Sequence, residues 1–271
     1  MRSQLDFKPL LELLGLMIGG MLLSALGIQF LGLEITTATA QTAPYSFLAA
    51  VALSLIFSFG LPALLWLKWR GNLVSASEPK SKNISLYIKA LVLFVALMLV
   101  ADYFMAWFTA FLELRGWSEL TAEPFNMTAV RDLLTHKNIL PYTIVAVSII
   151  PAVVEELFFR RVIFTYLYKS SKSFWTPAIL SSLFFSGMHN HFLSFVPIFL
   201  LGLALAFAYY ATKNIWTPIL LHAANNAFSI FVLHEDLDGE VSTHWILALI
   251  AAMSAVYLLQ SGTAQNAEKS V

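Results

Sequence analysis

The chain contains, at residues 139–164, the stretch ILPYTIVAVSIIPAVVEELFFRRVIF, in which charged groups interrupt an otherwise apolar run. Among these groups are two adjacent carboxylates, Glu155 and Glu156, and the guanidinium of Arg160. A charged side chain costs roughly 2.5–3.5 kcal/mol at the centre of a bilayer on insertion scales, so such groups usually face a protein interior or a water-filled cavity. The stretch therefore predicts a membrane-spanning helix that carries a functional polar site.

The composition of the whole chain agrees with a membrane protein. Of its 271 residues, 59% are hydrophobic and 12% are charged, and the mean hydropathy is +0.75. A soluble domain has about 25% charged residues, so a globular domain with a large core is excluded. The chain has no cysteine, which also excludes disulfides and thiolate chemistry.

The apolar runs predict an all-α, polytopic membrane helix bundle that encloses an intramembrane polar cavity. A span needs about 20 apolar residues, and about eight spans are expected, the fifth of them short. They are Leu10–Leu33, Tyr45–Leu67, Ser85–Phe111, Ile139–Phe164, Trp175–His189, Phe192–Tyr210, Thr217–Leu233 and Trp245–Leu259. We expect a single integral-membrane domain over residues 1–271, and a short interfacial helix over residues 126–135.

The distribution of Lys and Arg predicts the orientation. With a cytoplasmic N-terminus, twelve of the 16 Lys and Arg residues lie at or near the cytoplasmic side. Three lie outside, Arg115, Arg131 and Lys137, and Lys89 lies within a span. The positive-inside rule therefore places both termini in the cytoplasm. We expect an integral protein of the bacterial inner (cell) membrane.

Helical spacing predicts how the charges of the fourth span are arranged. Glu156 and Arg160 are four residues apart and share a face, so they are expected to pair. Glu155 is rotated by about 100° from Glu156 and is expected to face a cavity. Pro151 removes one intrahelical donor and should bend the helix just before the acidic pair. The alternative interpretation is a buried ion-pair cluster that only locks the helix.

Two further spans carry acid/base groups. His189 closes the fifth span, four residues after Phe185, and His222 lies four residues before Asn226 on the seventh. Each group by itself is equally consistent with polar contacts between helices. Their occurrence on three spans together favours a site that activates water.

The three elements resemble the motifs of the CPBP family, which comprises CAAX proteases and bacteriocin-processing enzymes related to the Ras-converting CAAX endopeptidase. Glu155, Glu156 and Arg160 match its Glu-Glu-x-x-x-Arg motif. Phe185 with His189 and His222 with Asn226 match its second and third motifs. The resemblance covers roughly residues 151–228, and we expect the catalytic core at residues 139–233.

The resemblance implies an intramembrane endopeptidase. In that reading Glu155, with His189, activates a water, and His222 with Asn226 holds the oxyanion of the tetrahedral intermediate. Glu156 and Arg160 support the site. Cofactor use stays open between no metal and a zinc ion held by Glu155, His189 and His222, which would make the enzyme a metalloprotease.

The implied substrates are proteins or peptides with a membrane-associated C-terminus or segment, such as prenylated proteins and peptide precursors. No nucleic acid partner is expected. Two alternatives come from other classes of protein. One is an ion- or proton-coupled transporter, and the other is a non-catalytic membrane scaffold or immunity protein.

Overall fold

The computed structural model describes residues 6–74, 80–121 and 125–234, and all regular secondary structure in this part of the chain is helical. A 3₁₀ turn lies at Ser118–Thr121. The helices are α1 Lys8–Phe30, α2 Thr37–Thr42, α3 Pro44–Val74, α4 Ile84–Leu114, α5 Phe125–Leu134, α6 Leu140–Ser171, α7 Trp175–Met188, α8 Phe195–Thr212 and α9 Trp216–His234.

Five of these helices are long and apolar enough to cross a membrane: α1, α3, α4, α6 and α8. They correspond to five of the eight predicted spans. Helix α7 has only 14 residues, and α9 carries His222, Asn225 and Asn226, which lower its hydropathy. The eighth predicted span, Trp245–Leu259, lies outside the described residues. The count of about eight spans and the enclosed polar cavity are therefore not confirmed, whereas the helical membrane architecture is.

The described residues form two compact units, and the first holds the charged stretch. It comprises residues 6–74, 125–177 and 218–234. Helices α1 and α3 pack closely at Gly20, where an added Cβ would lie 2.0 Å from the carbonyl oxygen of Phe57. The predicted interfacial helix is present as α5, and its buried Ala129 and Leu133 pack with residues of α2 and α3.

The second unit comprises residues 80–121 and 178–217. Helix α4 packs along α8 in this unit. Gly202 of α8 lies so close to Ser182 of α7 that an added Cβ would meet its side chain at 2.8 Å. Aromatic rings also stack along α4, where Phe104 contacts Phe108 with centroids 5.3 Å apart.

Wide π-helical turns interrupt the two long helices of the first unit. In α6 they span Ile144–Ile149 and Leu157–Phe164, on either side of the acidic pair, and in α3 one spans Ile56–Gly60. Two of these turns lie just before a proline: Ile56–Gly60 before Pro62, and Ile144–Ile149 before Pro151. A proline ring crowds the carbonyl four residues back, and a wider turn relieves that crowding. The bend predicted just before the acidic pair stays a prediction, and the structure shows a π turn before Pro151.

Candidate functional site

Helix α6 buries all three charges of its central motif. Glu156 and Arg160 are 0% exposed and Glu155 is 6% exposed. The Nη1 atom of Arg160 lies 3.0 Å from Oε1 of Glu156, which confirms the ion pair predicted from the four-residue spacing. Isolated buried charges are very costly, so this pairing is what permits them inside the helix bundle.

A hydrogen-bond donor reaches the same carboxylate from α9. The Nδ1 atom of His222 lies 3.0 Å from Oε1 of Glu156, and His222 is only 2% exposed. A carboxylate oxygen that pairs with a guanidinium accepts hydrogen bonds, so Nδ1 of His222 is the donor. Sequence reasoning assigned Glu156 to Arg160 alone and missed this contact, because spacing within one helix gives no information about a partner 66 positions away.

The other ring nitrogen of His222 faces the neighbouring carboxylate. Its Nε2 atom lies 3.9 Å from Oε2 of Glu155. The imidazole thus spans the two adjacent glutamates, with one nitrogen toward each. The rotation of Glu155 relative to Glu156 does not give the two carboxylates separate neighbours, because His222 lies beside both. At 3.9 Å the two atoms are too far apart for a direct hydrogen bond.

Ser148 fixes α9 next to His222. Its hydroxyl donates a 2.7 Å hydrogen bond to the backbone carbonyl of Ala223, and Ser148 is 1% exposed. Sequence reasoning missed this residue. A signal was available, because Ser148 precedes Glu155 by seven residues and a separation of seven returns a helix to nearly the same face.

Helix α3 encloses the charge cluster with an aromatic layer. The ring of Phe59, in the π turn of α3, lies 5.4 Å from that of Phe158 and 5.8 Å from that of Phe159. The guanidinium of Arg160 lies over the Phe159 ring at 5.9 Å. A Cβ on Gly60 would approach Val154 to 3.0 Å, so this glycine allows α3 to come close beside the acidic pair.

The remaining two predicted site residues, Asn226 and His189, belong to different compact units. Asn226 lies one turn after His222 on α9 and is partly buried. His189 follows α7, within the second compact unit, and is exposed. Its Nδ1 lies 2.9 Å from the carbonyl oxygen of Phe185. A carbonyl only accepts, so Nδ1 carries the proton and Nε2 is the nitrogen that can take one up. The approach of His189 to Glu155 stays a prediction.

Metal binding also stays a prediction. Among the described residues, no three His, Asp or Glu side chains are grouped as ligands of one ion. The zinc alternative needs Nε2 of His222 and a carboxylate oxygen of Glu155 on the same ion. Two ligand atoms of a tetrahedral zinc lie about 3.4 Å apart, given bond lengths near 2.1 Å. The observed 3.9 Å is wider.

Fold and site together define a class, that of integral membrane proteins with a buried carboxylate–imidazole cluster. Residues 137–228 match the family described as "Type II CAAX prenyl endopeptidase Rce1-like". This match supports the resemblance to CAAX proteases, and it includes every predicted site residue from Glu155 to Asn226. Comparison with curated proteins and with solved structures gave no match. The matched domain supports a peptidase of the membrane in general terms.

Proposed function

We propose that the chain is an intramembrane endopeptidase in which Glu155 activates a water for attack on a peptide bond. The observation that carries the proposal is the position of His222, whose ring nitrogens face Glu155 at 3.9 Å and Glu156 at 3.0 Å. An acid/base pair with an oriented imidazole is the arrangement that general base catalysis requires. The buried Arg160 and Glu156 are its fixed support.

The separation of 3.9 Å suits a water held between Oε2 of Glu155 and Nε2 of His222. Two hydrogen bonds of about 2.8 Å that meet at one water oxygen can bridge such a gap. Because Glu156 holds the proton on Nδ1, Nε2 is an acceptor when the ring is neutral and a donor when it is charged. A charged ring therefore donates through Nε2 to the oxyanion, whereas a neutral ring can only accept from the water.

The proposed reaction transfers one proton twice. Glu155 takes a proton from the water as the water oxygen bonds to the substrate carbonyl carbon, and the carbonyl electron pair moves onto its oxygen. The tetrahedral intermediate then collapses and the carbon–nitrogen bond breaks. The proton on Glu155 passes to the departing amine, which leaves a new carboxyl terminus and a new amino terminus.

His189 and Asn226 complete the proposed site. The Nε2 atom of His189 is chemically able to share the water with Glu155, since Nδ1 is bonded to Phe185. Asn226 follows His222 by one turn, so its amide belongs to the same helix face and supplies a second oxyanion donor. Loss of one such donor typically lowers turnover by about 10²–10³-fold.

We propose that the reaction needs no metal. Glutamate-activated water is sufficient chemically, because Glu155 supplies the base and His222 with Asn226 supplies the oxyanion donors. The substrate class is a protein or peptide whose membrane-associated end brings the scissile bond into the bilayer, prenylated proteins and peptide precursors included. The site of action is the inner (cell) membrane, with both termini in the cytoplasm.

The test compares the wild type with Glu155→Gln and with Glu34→Gln, a control at an exposed carboxylate outside the site. Membranes carrying each variant would be analysed by mass spectrometry for new protein termini, with and without 1,10-phenanthroline. We expect the same cleavages from wild type and Glu34→Gln, none from Glu155→Gln, and no effect of the chelator. Full activity in Glu155→Gln would refute the proposed base, and loss of activity with the chelator would refute the metal-free reaction.

A further inference from the structure

A second polar site lies where α1 begins and α3 ends, in the first compact unit. It is a cavity of about 500 Å³, within the range of about 300–1,000 Å³ that small-molecule sites occupy. None of the proposed peptidase residues belongs to it. Its lining residues are Glu12, Gly15, Leu16, Trp66, Trp69 and Arg70.

Two opposite charges form one wall of this cavity. The Nε and Nη2 atoms of Arg70 donate hydrogen bonds of 2.9 and 2.8 Å to the two carboxylate oxygens of Glu12. This pairing uses two of the five N–H groups of the guanidinium. The side chains keep 44% and 34% of their surface exposed, so the pair has donors and acceptors left for a ligand.

The position of this pair along the helices places it at the membrane boundary. Glu12 lies four residues after the start of α1 and Arg70 four residues before the end of α3. Helix α3 has 31 residues, about 46 Å at 1.5 Å per residue, whereas the hydrocarbon core is about 30 Å thick. The last turns of α3 therefore extend into the head-group region.

Two tryptophans make the site suitable for a molecule that is part polar and part apolar. Trp66 is 1% exposed and its Nε1 donates to the carbonyl oxygen of Pro9 at 2.8 Å, which fixes the wall of the cavity. Trp69 is 62% exposed, as expected of an aromatic side chain at the interface between membrane and water. No atom lies within 4 Å of a Cβ built on Gly15, so space remains beside it.

We propose that this cavity binds the head group of a zwitterionic phospholipid with a primary ammonium group, of the phosphatidylethanolamine type. The phosphate accepts from the remaining N–H groups of Arg70, and the ammonium donates to Glu12 and lies near the Trp69 ring. The acyl chains lie along the exposed apolar side chains of α1, such as Leu11 and Ile18. The site is independent of the proposed peptidase activity.

Native mass spectrometry of the purified full chain tests this proposal. The probes are phosphatidylethanolamine, phosphatidylcholine, phosphatidylglycerol and inorganic phosphate. We expect the wild type to retain phosphatidylethanolamine about tenfold more strongly than either other lipid, because loss of one charge-assisted hydrogen bond costs about that much. Equal retention of all three lipids, or equal binding of inorganic phosphate, would overturn the proposal.

Charge exchange separates binding from folding. The double variant Glu12→Arg with Arg70→Glu keeps an ion pair but exchanges the two charges. The lipid phosphate then meets a carboxylate, and the lipid ammonium meets a guanidinium. We expect the double variant to melt near the wild type and to lose the lipid preference. Arg70→Gln should lose it too, whereas Lys68→Gln, at an exposed lysine on the same helix, should keep it. Retention of the lipid preference in the exchanged variant would show that these two charges do not determine which head group binds.

Discussion

At Glu156 a single carboxylate oxygen forms an ion pair with Arg160 on its own helix and accepts a hydrogen bond from His222 on α9. This double contact links the charge balance of the cluster to the orientation of the imidazole. A residue that seems from the sequence to be half of an ion pair thus also sets which nitrogen of His222 faces Glu155. Glu156 is therefore a positioning residue for the proposed reaction.

Glu156→Gln should lower both stability and turnover. The amide keeps the volume but removes the charge, so Arg160 becomes an unbalanced buried cation, at a cost of about 3–5 kcal/mol. The imidazole also loses its carboxylate acceptor, and we expect turnover to fall at least tenfold. Thermal unfolding in detergent and cleavage assays measure the two effects.

Arg160→Ala serves as the matched variant, since it removes the other half of the ion pair and leaves the contact between Glu156 and His222. It should be destabilised to a similar extent and retain more activity per folded molecule than Glu156→Gln. Equal specific activity of the two variants would show that Glu156 does not act through His222.

At the scale of the element, helix α6 is joined to α9 beside the reacting groups by the hydrogen bond from Ser148 to Ala223. Ser148→Ala should leave that buried carbonyl without its hydroxyl donor, at a cost of about 1–3 kcal/mol. Because Ala223 follows His222 directly, we also expect lower kcat with little change in KM. Ser148→Thr keeps a hydroxyl and should recover most of the activity. Unchanged kcat in Ser148→Ala would remove this residue from the site's support.

The contact between α1 and α3 depends on one glycine. Gly20→Ala would place a Cβ 2.0 Å from the Phe57 carbonyl oxygen, which is backbone and cannot move aside cheaply. We expect the helices to separate and the melting temperature to fall, with a loss of roughly 1–3 kcal/mol or more from overpacking. Gly19→Ala is the control, since a Cβ there meets nothing within 4 Å. Similar melting temperatures for both variants would contradict this packing.

At the scale of the whole molecule, the orientation in the membrane follows from the twelve-to-three distribution of Lys and Arg and remains a prediction. The native chain has no cysteine, so single cysteines introduced at Ser77, which lies outside the described residues, and at Ser118 report only on their own position. A membrane-impermeant thiol reagent should label Ser118→Cys in intact cells, and Ser77→Cys only after the membrane is opened. Labelling of both in intact cells would overturn the assignment.

The features that could be predicted from the sequence are those that depend on residues close together along the chain. The ion pair of Glu156 and Arg160 was predictable because residues four apart on a helix are neighbours whatever surrounds them. Five spans were predictable because hydrocarbon selects long apolar runs. Helices α7 and α9 are not among the helices long and apolar enough to cross a membrane, because α7 is short and α9 carries polar residues.

The sequence by itself determined the class of this protein. Apolar runs predicted a helical membrane architecture, and the three motifs between Glu155 and Asn226 predicted the resemblance that the family match over residues 137–228 supports. Only the tertiary structure decided that His222 spans both glutamates, that Ser148 holds α9 and that Glu12 pairs with Arg70. The physical reason is that helix periodicity and hydropathy are local properties of a sequence. Contacts between helices depend on packing geometry, which residues distant along the chain determine together.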